Sequence, residues 1–271
     1  MSKRACACLS AIFLASVIVL SAEPVGVKHA EGLVHGFLSL RSADGTLLAD
    51  GDLIQNAKGD RVTSRLVYHF KDGSLSDETA VYSQREQFLL LSDHLVQKGP
   101  AFKLPLDMTI DRAAGHVVVR YRDDHSVEKV EDEKMNLPPD LVNGMIIAVM
   151  KNASKAAFPP TLSYIATTPK PRLVKLNISV SGVESFSVAG STRQATHYVL
   201  KVDIGGIAGI VAPIVGKQPP DSHLWILEGD APAFVKGQEP MFMGGPLWQT
   251  ELVSPVWRAT NAPVAPKAQQ P

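Results

Sequence analysis

Short runs of alternating apolar and polar residues fill the stretch 33–122, and each run ends at a turn signal. Run 33–40 stops at Ala43-Asp44-Gly45 and run 46–57 at Lys58-Gly59-Asp60. The run carrying Val62, Ser64, Leu66 and His69 stops at Lys71-Asp72-Gly73. Further runs cover 79–84, 88–96 and 106–110, and 116–122 follows the turn Ala113-Ala114-Gly115. A period of two marks strands with one buried face, and Asp-Gly or Lys-Gly between them supplies the positive φ of tight hairpins. This spacing, roughly 10–14 residues, suits an antiparallel meander rather than βαβ units.

One segment breaks the rhythm. Asn136-Leu137-Pro138-Pro139-Asp140 precedes an apolar stretch that predicts a helix over 140–152, proline being tolerated where a helix starts. Leu141, Met145, Ile146, Val149 and Met150 leave it almost no polar face, so the helix is expected to be buried. It either packs as core on the concave side of the sheet or acts as a lid, with Met145 and Met150 adapting to a lipid or peptide. Strands resume at 161–168, 173–180, 184–188, 195–204, 224–227 and 247–253, with Pro169 and Pro171 marking an edge or a crossing. The predicted fold is therefore mainly β: a strongly curved antiparallel sheet or open barrel with one central apolar helix.

The N-terminus changes where this fold is expected to reside. Lys3 and Arg4 precede an apolar run over 11–20, followed by the small residues Ser21 and Ala22. Basic, apolar, then small is the layout of a secretory signal peptide. An apolar run of this length spans only about 15 Å as a helix, half the thickness of a bilayer core. We read 1–22 as a signal peptide, 23–258 as a single mainly-β domain and 259–271, with Pro263, Pro266 and paired glutamines, as a disordered tail. Both cysteines, Cys6 and Cys8, fall in the leader, so the mature chain has no disulfide, thiol nucleophile or Cys-ligated metal. The expected location is periplasmic or secreted, with no transmembrane segment in the mature chain.

Composition narrows the function classes. The 271 residues include 27 basic and 27 acidic ones, a formal net charge of zero. That balance offers no electrostatic footprint for nucleic acid, and 45% hydrophobic content is ample for a core. Gly205-Gly206-Ile207-Ala208-Gly209 lacks the Gly-Lys-Ser/Thr of a phosphate loop and any βαβ context, so it reads as an apolar glycine-rich turn. The acidic patch Asp123-Asp124-His125, Glu128, Glu131, Asp132 and Glu133 lacks calcium-loop spacing and is interleaved with Lys129 and Lys134. It reads as a solvated, salt-bridged hairpin. Asp72-Gly73-Ser74 near His69 has the residue types of a triad but also those of an ordinary turn. The eight histidines are scattered without zinc spacing. Asp221 and His223, beside Trp225, form the one candidate acid–base pair. No cofactor is implied.

Four phrases carry a family likeness. Gln97-Lys98-Gly99-Pro100-Ala101-Phe102, Leu137-Pro138-Pro139-Asp140 with Asn143-Gly144-Met145, Gly216-Lys217-Gln218-Pro219-Pro220-Asp221 and Ser254-Pro255-Val256-Trp257 together resemble an uncharacterised family of exported bacterial proteins. The resemblance covers most of the mature chain and transfers no catalytic residue. The layout of strands around a buried helix is also similar to the open-barrel periplasmic carriers typified by the lipoprotein-localisation factors.

Curved sheets commonly hold apolar ligands at their mouths. The expected function is an exported binding or carrier protein for a lipid, acyl chain or other apolar small molecule. Leu141, Met145, Ile146, Val149 and Met150 would line its cavity, faced by Ile207, Ile210, Val211 and Ile214 from the glycine-rich segment, with Trp225 nearby. Two alternatives stand beside it: an envelope structural or assembly protein that holds a protein partner by a sheet edge or apolar patch, and an envelope hydrolase using Asp221 and His223.

Overall fold

The computed structural model describes residues 24–123, 125–153, 158–188, 190–203 and 219–253. The leader 1–22, the glycine-rich stretch with Ile207, Ile210, Val211 and Ile214, and the tail 259–271 lie outside the described residues.

The expected architecture is present. Fourteen strands form one antiparallel sheet: β1 Val34–Arg41, β2 Leu47–Lys58, β3 Arg61–Phe70, β4 Leu75–Gln84, β5 Phe88–Lys98, β6 Leu106–Asp111, β7 His116–Arg122, β8 Glu128–Lys134, β9 Thr161–Ala166, β10 Arg172–Val188, β11 Ser191–Asp203, β12 Ser222–Leu227, β13 Ala233–Pro240 and β14 Leu247–Leu252. A single helix among the described residues, α1 Ile146–Asn152, sits between β8 and β9. Every strand pairs with its sequence neighbour, and β1 pairs with β14, as in Leu40 opposite Thr250. The meander therefore runs almost full circle. Its opening falls at the β8 and β9 edges, where the connection carrying α1 passes from one to the other.

That connection is a plug held by polar anchors. Guanidinium Arg112, after β6, donates to the carbonyls of Leu90, of Leu137 and, at 2.6 Å, of Pro138. Asp140 and Val142 exchange strand-like bonds with Ser163 on the β9 edge, Val142 N donating to Ser163 O at 3.0 Å and Ser163 N to Asp140 O at 3.1 Å. Fully buried Asn143 completes the attachment, accepting from Ile165 N at 2.8 Å and donating to Ile165 O at 2.9 Å. Buried Asp140 is met by Ser163 Oγ at 2.8 Å and Lys175 Nζ at 3.0 Å.

These anchors explain a difference from the sequence reading. The helix starts at Ile146, not at 140, and has seven residues. Asn143 bonds sideways to β9, and Gly144 takes φ +62° so that its Cα can press on Ala80 and Asp93; a Cβ there would lie 2.6 Å from both. Side-chain bonds to a neighbouring strand compete with the i→i−4 ladder and delay the helix. Two further strands, β8 and β13, escaped the pattern, and the runs read at 173–180 and 184–188 are one strand, β10, with an irregularity between Val180 and Gly182.

The core fills one side of the barrel. Met108, Ile110, Val117 and Val119 of β6 and β7 belong to the same buried cluster as Leu137, Leu141, Val142, Met145, Val149 and Met150 of the plug. The opposite side, walled by β1–β5 and β9–β14, is left hollow.

Candidate functional site

The hollow is a cavity of about 970 Å³. Alternation along the strands sets its wall: Leu38 of β1, Leu53 of β2, Leu66 of β3, Leu95 of β5, Val174 and Leu176 of β10, Leu200 of β11, Leu224 of β12 and Phe234 of β13 all face it. Met145, Ile146, Ile147 and Ala148 close it from the plug side. Met241, Phe242 and Met243, between β13 and β14, lie over one end. There Phe242 joins Phe70, Phe102 and Trp248 in an edge-on aromatic cluster with centroid separations of 5.4–6.4 Å, a geometry that favours ring packing.

The sequence-derived wall residues divide between two places. Met145 and Ile146 face the cavity. Leu141, Val149 and Met150 are fully buried in the packed cluster on the other side of the plug. Trp225 follows inward-facing Leu224 and so lies on the outer face of the sheet. There it stacks on His197 at 4.2 Å, with Lys236 Nζ 3.8 Å from its ring centroid.

The outer face also accounts for the acid–base candidate. His223 Nδ1 is 2.9 Å from His197 Nε2, and His197 Nδ1 is 3.1 Å from Glu184. Burial holds His197 below the ordinary imidazole range, with Glu184 pulling the other way. His223 is thus engaged by a second histidine rather than by Asp221. Around Ser74, Asp72 accepts the Ser74 N–H at 2.9 Å and Ser74 Oγ accepts the Ala101 N–H at 2.8 Å, the bonding of a turn. In the β7–β8 hairpin, Asp123 accepts from His125 N and Val127 N and lies 3.5 Å from Lys129, while Asp132 pairs with His116 at 3.2 Å. Among the described residues, no group of three or more His, Cys, Asp or Glu could hold a metal ion, and no helix is long and apolar enough to cross a membrane.

One end of the cavity is polar, and sequence reasoning missed it. Glu78 of β4 and Glu239 of β13 face the lumen, with Tyr68, Tyr164, Ser76 and Gln97 around them. Burial, with the neighbouring Glu239 charge, pushes the Glu78 carboxyl up to about 7. Burial likewise raises Glu239. Asp93, one strand from Glu78, is fully buried with no hydrogen-bond partner for either oxygen among the described residues. Burial and the Glu78 charge hold it well above the carboxylate range. Burial also raises the Tyr68 and Tyr164 phenols. The available signal was alternation: in Ser76-Asp77-Glu78-Thr79-Ala80-Val81-Tyr82 the carboxylate shares a face with Ala80 and Tyr82.

A second buried polar cluster latches the other flank. Glu31 takes Lys151 of α1 at 2.7 Å and Gln55 at 2.6 Å, and Gln84 bonds the Glu31 backbone at both N and O. Asn152 accepts from Lys28 N and His29 N. The chain before β1 is thereby tied to the end of α1. A recess of about 250 Å³ over Glu31 and Lys151 is polar and small beside the main lumen.

No protein-family model matches the chain, and no curated protein is significantly similar to it. A solved structure, the beta-barrel-like protein of domain of unknown function DUF1849 from Brucella abortus, aligns over 83% of this chain and 98% of that one, with TM-score 0.45 and 11% sequence identity.

Proposed function

We propose that this is an exported periplasmic binding or carrier protein whose lumen holds a lipid or another apolar ligand. The observation that carries the reading is the cavity of about 970 Å³ with a mainly apolar wall, lying beside the buried cluster of the plug and β6–β7. Ligand pockets commonly measure about 300–1,000 Å³ and combine apolar walls with a few polar groups. Polar interiors fill with water, but leucine, valine and phenylalanine walls gain about 25 cal/mol for each Å² they take from water. A tail burying about 300 Å² would gain on the order of 7 kcal/mol before association costs.

The plug is anchored by Asn143 at one end and Asn152 at the other, which favours a fixed wall over a lid that must leave. The assembly alternative draws less support, because edge strand β8 is Glu128-Lys129-Val130-Glu131-Asp132-Glu133-Lys134 and charge blunts edge pairing.

The test is native mass spectrometry of the full-length gene product recovered from a bacterial periplasmic fraction, followed by solvent extraction. The expected result is a mature chain beginning near residue 23 with a stoichiometric apolar adduct. A bare mass, with no uptake of added dodecanol by titration, overturns the carrier reading. Retention in the cytoplasm with an intact leader overturns the export reading.

A further inference from the structure

Two carboxyls and a buried amide oxygen lie at the polar end of the lumen with no cation paired to them among the described residues. Glu78 stands on the inward face of β4, opposite Leu95 of β5; Gln97, two residues along β5, is its diagonal neighbour on that face. Gln97 Nε2 donates to Met241 O at 2.8 Å, which fixes the amide's orientation and joins β5 to the end of β13, two residues beyond Glu239. Gln97 lines the lumen, and its carbonyl Oε1, buried behind the lumen surface, has no partner among the described residues. Among the described residues, neither the Glu78 nor the Glu239 side chain has an ion-pair or hydrogen-bond partner. Two carboxyls and an amide oxygen thus share one small region, beside an apolar chamber.

Among the described residues, the positive groups along the lumen do not answer these carboxyls. Lys151 is bound to Glu31 at 2.7 Å and Lys170 lies 3.7 Å from Glu133. Arg172, at the start of β10 opposite Ala166, is not among the charges that act on Glu78 or Glu239. The other titratable groups facing Glu78 are Glu239, Asp93, Tyr68 and Tyr164; each is an acid, and none supplies positive charge. A buried carbonyl left without a donor is costly and rare in folded proteins, and here it lies behind two unpaired carboxyls, Glu78 half-buried and Glu239 open to the lumen, on an otherwise apolar wall. The carboxyl pair is answered by one group: an ammonium offers three N–H donors and a positive charge.

We propose that the lumen's ligand is a cationic amphiphile, its apolar body against the leucine wall and its protonated amine between Glu78 and Glu239, beside Gln97. This rests on the lumen being a site for apolar ligands. The amine displaces a proton from the carboxyl pair on binding, because the site must be ionised to hold it. With Glu78 titrating at about 7 in the empty lumen, capture strengthens as pH rises through neutrality while the amine itself stays charged.

The test is calorimetric titration of the purified protein with dodecylamine, dodecanol and dodecanoate at pH 8. Dodecylamine is expected to bind at least about ten-fold more tightly than dodecanol, and dodecanoate most weakly. Replacing Glu78→Gln and Glu239→Gln together brings the amine within about two-fold of the alcohol, the ratio of the two affinities in the same variant being the readout. In the native protein, amine affinity falls about ten-fold from pH 8 to pH 6 while alcohol affinity does not, a readout that needs no substitution. Equal affinity for amine and alcohol, or an amine preference that survives both substitutions, overturns the head-group assignment and leaves the apolar-lumen reading standing. Failure of all three probes to bind overturns both.

Discussion

The Tyr68 and Thr250 hydroxyls lie 2.9 Å apart, although 182 residues separate them in sequence. The bond spans the sheet from β3 to β14, and its path is kept clear by Gly51 of the intervening β2. A Cβ on Gly51 would sit 2.7 Å from the Tyr68 ring and 3.1 Å from Leu38. Tyr68→Phe removes one buried hydrogen bond and is expected to lower stability by about 1 kcal/mol. Gly51→Ala forces ring and strand apart and should cost about 1–3 kcal/mol. Urea denaturation of the two single variants and the double variant checks both values. Because the ring that Gly51→Ala displaces is the one that carries the bond to Thr250, the double variant should lose less than the sum of the two.

The acid end of the lumen makes stability fall as pH rises. Glu78 keeps its proton to about 7 in the fold and releases it near 4.5 when unfolded. Between those values the folded state binds more protons, so raising pH favours unfolding. A shift of this size corresponds to on the order of 3 kcal/mol, lost across pH 4.5–7 and flat above. Asp93 and Glu239 shift in the same direction. Denaturation midpoints should be higher at pH 5 than at pH 8, and Glu78→Gln should flatten the difference. A profile that rises with pH would show that these carboxyls are paired or solvated in the fold.

Asn143 does for the plug what a strand partner does for an edge. Its amide satisfies both Ile165 backbone groups at full burial. Asn143→Ala leaves a buried N–H and C=O without partners and should cost about 3 kcal/mol. Asn143→Asp keeps the acceptor but replaces the donor with a buried charge, and is expected to be no better at neutral pH. Thermal melts of the two variants compare them directly.

The sheet was legible wherever inward residues are apolar and outward ones polar, as in β3, where Val62 and Phe70 are buried and Arg61 and His69 are not. It was obscured where the lumen itself is polar. Strand β4 begins at Leu75, four residues before the alternation becomes visible, because Ser76 and Glu78 take inward positions. Strand β13 was missed for the same reason: Glu239 faces inward and Phe234 is its one large buried apolar residue. Strand β8, an exposed edge, offers no apolar face at all. The polar end of the cavity therefore hid in the very positions where the hydrophobic pattern failed. The Trp225 placement failed differently, since composition near a strand does not say which face a residue takes, and a one-residue step reverses it.

Position along the plug separates residues that line the lumen from residues that merely fill the core. Ile146 is half-buried against the cavity, whereas Trp225 packs on the outer face with His197 and Lys236. Ile146→Trp would place a bulky ring where the ligand tail lies without removing any anchor of the plug, and Ile146→Asp would put a charge against the tail. Both are expected to weaken dodecanol capture at least about ten-fold while leaving the sheet folded by circular dichroism. Trp225→Phe should leave capture unchanged and lower stability by about 1–2 kcal/mol, because only packing on the far side of β12 is lost. If Trp225→Phe abolished capture and Ile146→Trp did not, the ligand would sit on the outer face and the lumen would be an empty hollow of the fold.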